Sequence, residues 1–157
     1  MYAREQGGLA TPIAWIGLTA AGERLLGITI SGEPGPKATG SFLRGVADQL
    51  EAWFAGARHD FDVALTPAAT PRGETLRAGL IGVGYGSTMS YGALAHQLGS
   101  APRAIGQLCA RNPFPIIVPC HRILGAGGAL GQYSAGDGSA TKAWLLAHER
   151  THAQVSD

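Results

Sequence analysis

Cysteine is scarce: the 157 residues hold two, Cys109 and Cys120, too few for a disulfide-rich secreted scaffold. Charge is sparse as well, with Asp, Glu, Lys and Arg at 15% against roughly 25% in an average globular protein. No stretch reaches the ~18 unbroken apolar residues of a membrane span. The opening Met1-Tyr2-Ala3-Arg4-Glu5-Gln6 lacks the basic-then-apolar layout of a secretion signal. Together these absences lead us to expect a soluble protein of the reducing cytoplasm, not bound to a membrane. Apolar residues are plentiful at 45%, enough for a sizeable core. Glycine is over-represented, with 24 residues, about twice its usual share. It follows no three-residue repeat, which excludes collagen and points to turns and close backbone approaches.

The net charge of +1 hides an asymmetry. Residues 1–69 carry five Lys and Arg against seven Asp and Glu, whereas residues 70–157 carry seven against four. A basic second half is compatible with a polyanionic partner. The sequence also changes character near the Pro-rich segment Thr66-Pro67-Ala68-Ala69-Thr70-Pro71, which we read as a boundary between domains 1–69 and 70–157. In the first half, Ile13–Thr19 and Leu25–Ile30 read as a hairpin. Val46, Leu50, Trp53 and Phe54 fall at helical spacing with Gly56 as a stop, and Phe61–Leu65 looks like one more strand. Beyond the boundary, Leu76, Leu80 and Val83 share a helical face. Thr88 or Ser90 can cap a helix ending near Leu98 and Gly99, and Pro102 suits the first turn of another running to about Ala110. Two short helices joined by a Gly-containing turn read as a helix-turn-helix. The expected fold is α/β: a small sheet-plus-helix domain, then a mainly helical domain with the helix-turn-helix and a short active-site strand.

The chemistry concentrates in Asn112-Pro113-Phe114-Pro115-Ile116-Ile117-Val118-Pro119-Cys120-His121-Arg122-Ile123. The apolar run Ile116–Val118 reads as a buried strand that stops at Pro119 and presents Cys120 beside His121 and Arg122. Cationic neighbours lower a thiol's pKa and raise its reactivity. A buried structural cysteine is the competing reading, and the flanking Pro and His-Arg count against it. Adjacent side chains rarely face each other, so His121 is expected to act through a water or on a third group. Cys109, at helical spacing from Ile105, reads as core.

The segment Pro119-Cys120-His121-Arg122 resembles the acceptor-cysteine motif of the O6-alkylguanine-DNA alkyltransferases. Asn112-Pro113, Tyr133-Ser134 and Lys142-Ala143-Trp144-Leu145-Leu146-Ala147-His148-Glu149 fit the same family, as do Thr88–Gly92 and Arg103–Gly106 for its helix-turn-helix. The likeness is strong over residues 84–149 and looser over residues 11–65. It implies a single-turnover DNA-repair enzyme that moves an alkyl group from O6-alkylguanine in double-stranded DNA onto Cys120, as a monomer without a cofactor. Within that likeness Glu149 orients His121, which takes the thiol proton. Tyr91 meets the charge developing on guanine, with help from the backbone around Tyr133 and Ser134. Arg103 fills the gap left by the flipped base. Asn112 tightens the turn before the active site, while Arg122 and Lys142 are counted among the DNA- or base-facing residues. Some relatives carry zinc in the N-terminal domain, but residues 1–69 hold no cysteine and one histidine, His59, so no metal is expected.

Three places depart from the family pattern. Arg72, Gly73 and Arg77 stand where Phe-Gln and a Trp are usual, so this helix must pack differently or be more exposed. Ser134-Ala135-Gly136 replaces Ser-Gly-Gly, and Asp137-Gly138 looks like a short insertion. These departures motivate an alternative in which Cys120 does the same chemistry on a non-DNA or differently alkylated substrate. A third reading, a lesion-binding module that transfers nothing, is disfavoured by the presence of Cys120.

Overall fold

The computed structural model describes residues 3–153. Among them are five α-helices, a three-stranded antiparallel sheet and a two-stranded parallel ladder. The chain forms two compact units, one reaching to Thr66 and the other starting at Pro67.

The first unit is built on β1 (Arg4–Ala10), β2 (Trp15–Ala21) and β3 (Arg24–Ser31), hydrogen-bonded in that order. β2 alternates strictly: Ile16, Leu18 and Ala20 are buried while their neighbours are half-buried, as a strand with one core face requires. Its pairing with β3 closes at Ala21 and Arg24. The intervening Gly22 has φ of 60°, the conformation a tight hairpin demands at its first central position. Helix α1 (Ser41–Phe54) packs on β1 and buries Leu43, Val46, Ala47, Leu50 and Trp53 along one stripe. Gly56, at φ 78°, follows its end.

Two expectations for this unit change. β1 was not foreseen, because its residues Arg4-Glu5-Gln6-Gly7-Gly8 carry no β-branched pattern; its strand character comes from pairing with β2. Phe61–Leu65 is not a strand. Only Leu65 bridges to Leu25, because Pro67 stops the pairing just past the run and the Gln49 side chain takes the backbone N–H and carbonyl of Asp62 for itself.

The second unit starts with α2 (Pro71–Ile81), whose Thr70 cap accepts the Gly73 N–H at 3.0 Å. Leu76 and Leu80 are buried. The altered residues of this helix are used within the unit. Arg72 donates to the carbonyls of Leu98 and Gly99 at 3.2 and 3.1 Å, satisfying carbonyls that a helix end leaves open. The Arg77 guanidinium lies 5.3 Å from the centre of the Phe114 ring. A side chain at Gly79 would meet the Leu98 side chain at 2.5 Å, so a larger residue there would have to displace Leu98. Helices α3 (Tyr91–Gln97) and α4 (Pro102–Ala110) follow and pack on each other. Ser90 caps α3, and Gly99 at φ 63° reverses the chain before Pro102 opens α4.

The run Ile116–Val118 is a turn, which corrects the expected active-site strand. Pro113, Pro115 and Pro119 deny it ladder donors, and Ile116 sits at φ 77°, an uncommon conformation for a β-branched residue. The side chains of Phe114, Ile116, Ile117 and Val118 are nonetheless buried. A single 3-10 turn, Cys120–Arg122, leads into β5 (Ile123–Leu124), paired in parallel with β4 (Met89–Ser90). Helix α5 (Ser139–Ala153) completes the unit. The Ala135–Gly138 segment forms the turn before it, with the Asp137 N–H donating to Thr141 Oγ1 at 2.9 Å.

Candidate functional site

Cys120 is 3% exposed and sits at the start of the 3-10 turn, just after the Pro119 break. The loop leading to it is clamped by Asn112, whose Nδ2 donates to the Val118 carbonyl at 2.9 Å while its Oδ1 accepts the Phe114 N–H at 2.9 Å. Asn112 therefore shapes the approach to Cys120 from within the scaffold.

Behind Cys120 lies a buried polar cluster. His121 is fully buried and its Nε2 meets Glu149 Oε2 at 2.8 Å. Arg122, also buried, donates Nε and Nη2 to the same carboxylate, the shortest contact being 2.7 Å, and Nη1 to the Val83 carbonyl at 2.7 Å. The Gly86 N–H adds a bond to Glu149 Oε1 at 3.3 Å. Glu149 is thus no solvated helix-end carboxylate: it is 1% exposed and holds three partners. Burial alone would raise its carboxyl, but the hydrogen bonds from His121 and Arg122 prevail and hold it at about 2. Burial pushes His121 below its usual range, outweighing the carboxylate beside it, so the imidazole is neutral at neutral pH. With Nε2–H directed at Glu149, Nδ1 carries the accepting lone pair. Arg122, expected to face DNA or base, is instead committed to Glu149 and Val83, which makes it a support for the carboxylate.

In front of Cys120 lies a cavity of about 670 Å³, lined by Tyr91, Arg103, Cys109, Tyr133 and Ser134 among others. Tyr91 stands at the first turn of α3 and Arg103, exposed, at the first turn of α4. The Tyr133 hydroxyl is buried with no hydrogen-bond partner, and burial pushes its pKa upward. Lys142, counted from sequence among the DNA- or base-facing residues, is fully buried; its Nζ donates to the carbonyls of Ile123 and Gln132 at 2.6 and 3.3 Å and lies 5.9 Å from the Tyr91 ring centre. The pocket thus brings together Cys120, Tyr91, Tyr133, Ser134 and Arg103, while His121, Arg122, Glu149, Asn112 and Lys142 stand behind or beneath its wall.

Two electrostatic findings revise the sequence reading. The Cys120 thiol is pushed up, first by a hydrogen bond with Cys109 and then by burial, against smaller lowering effects from Asn112 and Lys142. Its adjacent cations do not activate it, because His121 is neutral and Arg122 is bound to Glu149. Cys109 is not a core residue. Half-buried in the last turn of α4, it faces the cavity, and its hydrogen bond with Cys120 lowers its pKa. Its spacing from Ile105 marks the inner face of α4, but that face opens on the cavity at the helix end.

Residues 74–151 match the family described as the DNA binding domain of 6-O-methylguanine DNA methyltransferase. A methylated-DNA--protein-cysteine methyltransferase of Methanosarcina acetivorans is 44% identical over 97 residues, 60% of this chain; the match spans 62% of that protein's length. A DNA base-flipping protein of Thermus thermophilus is 37% identical over 149 residues, covering 90% of this chain and 97% of that one. The crystal structure of Mycobacterium tuberculosis O6-methylguanine methyltransferase superposes with a TM-score of 0.82 at 33% identity, covering 96% of this chain and 94% of the other. With the fold shared over nearly its whole length and the acceptor-type cysteine seated on the pocket, this chain belongs to the O6-methylguanine DNA methyltransferase family.

Proposed function

We propose that this protein repairs DNA directly, moving the alkyl group of an O6-alkylguanine in duplex DNA onto Cys120 in a reaction each molecule performs once. The observation that carries this reading is the seating of Cys120 on the cavity, with the His121–Glu149 pair immediately behind it. The resting thiol is protonated, so transfer needs a base. His121 accepts the proton at Nδ1 through a bridging water, and Glu149 stabilises the imidazolium that results. The Cys120 sulfur then attacks the alkyl carbon, forming the C–S bond as the bond to O6 breaks. The electron pair passes to guanine, where the Tyr91 hydroxyl and the amides around Tyr133 and Ser134 meet the developing charge. The thioether has no route back to the thiol.

α3 and α4 act as a helix-turn-helix, with domain 70–157 carrying DNA binding. The target base must leave the stack to reach a thiol at the foot of a cavity, and Arg103 at the rim is positioned to replace it or to hold a phosphate. A Mycobacterium tuberculosis relative, 35% identical over 94% of this chain and 93% of its own with a TM-score of 0.82, was crystallised in complex with DNA. Arg72 and Arg77 have partners within the domain, Leu98, Gly99, Glu74 and Phe114, so the alternative substrate reading rests on Gly73 and Ala135–Gly138 alone. The protein acts as a monomer and without a cofactor.

The test is to digest duplex DNA carrying O6-methylguanine to nucleosides after exposure to limiting protein. One lesion restored to guanine per protein molecule supports the proposal. Many restored per molecule, or lesion binding with none restored, sinks it, the latter in favour of base flipping alone.

A further inference from the structure

Cys109 is the one thiol on the cavity that alkyl transfer does not use. It comes from the end of α4 and Cys120 from the following 3-10 turn, yet both side chains line the same cavity and both are free thiols. Each thiol shifts the other's titration across the wall they share, so bridging them asks for side-chain rotation within an open cavity. Their burial differs: Cys109 is half-buried and Cys120 is 3% exposed. A small oxidant therefore meets Cys109 first. The Lys142 ammonium lies near enough to favour the anionic form of both sulfurs, and Cys109, lowered by its partner while Cys120 is raised, is the thiol that ionises more readily.

We propose that Cys109 and Cys120 form a peroxide-responsive dithiol, whose reversible disulfide withdraws Cys120 from alkyl transfer and shields it from irreversible oxidation. The consequence for transfer rests on Cys120 being the alkyl acceptor; the disulfide itself does not. In the first step the Cys109 thiolate attacks a hydroperoxide oxygen. An S–O bond forms, the O–O bond breaks, and the departing oxygen takes a proton to leave as water or an alcohol. In the second step the Cys120 sulfur attacks the Cys109 sulfenic acid. The S–S bond forms, the S–O bond breaks, and hydroxide leaves as water with the Cys120 proton. The two thiols lose two electrons and the peroxide gains them. A dithiol reductant reverses the bridge by exchange.

The experiment treats the wild type and Cys109→Ser with stoichiometric hydrogen peroxide. Intact mass, non-reducing tryptic peptides and methyl-acceptor capacity are then compared with each protein's own untreated sample. Arg103, Arg111 and Arg122 place the two cysteines on separate tryptic peptides, 104–111 and 112–122. The expected result for the wild type is loss of two hydrogens, one linked peptide pair, lost acceptor capacity, and recovery of all three on adding dithiothreitol. Cys109→Ser should instead add oxygen at Cys120 and not regain its capacity. Oxygen addition to the wild type without the linked pair, or bridges only between molecules, overturns the proposal. An untreated wild type that accepts no methyl group but forms the linked pair would overturn the acceptor reading and leave the dithiol standing.

Discussion

The two sides of Cys120 are built on opposite terms. On the inner side, Glu149 is nearly sealed from solvent and its oxygens accept from His121, Arg122 and Gly86. On the outer side, the Tyr133 hydroxyl is buried without a partner, and two thiols line an open cavity. A buried carboxylate is tolerated only when charges and donors surround it, so the inner side is a rigid mount. A buried hydroxyl without a partner is a standing cost, which a substrate can relieve. On the proposed reading the difference divides the labour: the satisfied cluster holds the proton acceptor, and the unsatisfied wall receives the substrate.

Substitutions should separate the two sides. The largest effect is expected for His121→Ala, which removes the base from a thiol that is protonated at rest. Single-turnover methyl transfer at neutral pH should slow by about 10²–10⁴-fold, and the deficit should shrink toward alkaline pH as Cys120 ionises unaided. A pH-independent deficit would mean that His121 serves packing alone. Next comes Glu149→Gln, which leaves Arg122 buried without its counter-charge; urea denaturation should show a loss of about 3–5 kcal/mol, with slower transfer beside it.

Tyr133→Phe should split the readouts. Removing a buried hydroxyl that bonds nothing in the free protein should leave stability equal or slightly higher, while transfer falls by about tenfold if that hydroxyl meets the bound base. Equal losses in both would place Tyr133 with the mount. The smallest effect belongs to Arg72→Ala, an exposed residue bonded to the end of α3, at about 0.5–1.5 kcal/mol of thermal stability.

Acid should act on the inner side. His121 is held below its ordinary value of 6.5 and Glu149 below 4.5 at about 2. In both cases the unfolded chain takes up protons before the folded one, so stability falls as pH drops. The loss begins below about 6.5 through His121 and steepens below 4.5 through Glu149. In Glu149→Gln the second phase should be blunted, which unfolding curves across that range would detect.

Much of this was legible in the sequence, for physical reasons that differ by region. Ser90, Gly99 and Pro102 punctuate α3 and α4 because caps, left-handed glycine and first-turn proline are local requirements. The stripe of α1 is equally local. β1 was hidden because its pairing with β2, not its own composition, makes it a strand. Ile116–Val118 misled in the other direction: three β-branched residues read as a strand, but the surrounding prolines and the positive φ of Ile116 make a turn. The candidate site residues were named from a family likeness, yet their division into mount and wall was not readable, since it depends on which way each side chain faces. Arg122 is the clearest case, two residues after Cys120 in sequence and turned inward to Glu149. Cys109 is the converse, patterned as core and turned to the cavity.

The most direct test of the account is the intact mass of the protein after incubation with duplex DNA carrying one O6-methylguanine, with Cys120→Ala alongside. The account predicts a gain of one methylene per wild-type molecule, located on peptide 112–122, and no gain in the variant. A gain in the variant, or none in the wild type under reducing conditions, would contradict it.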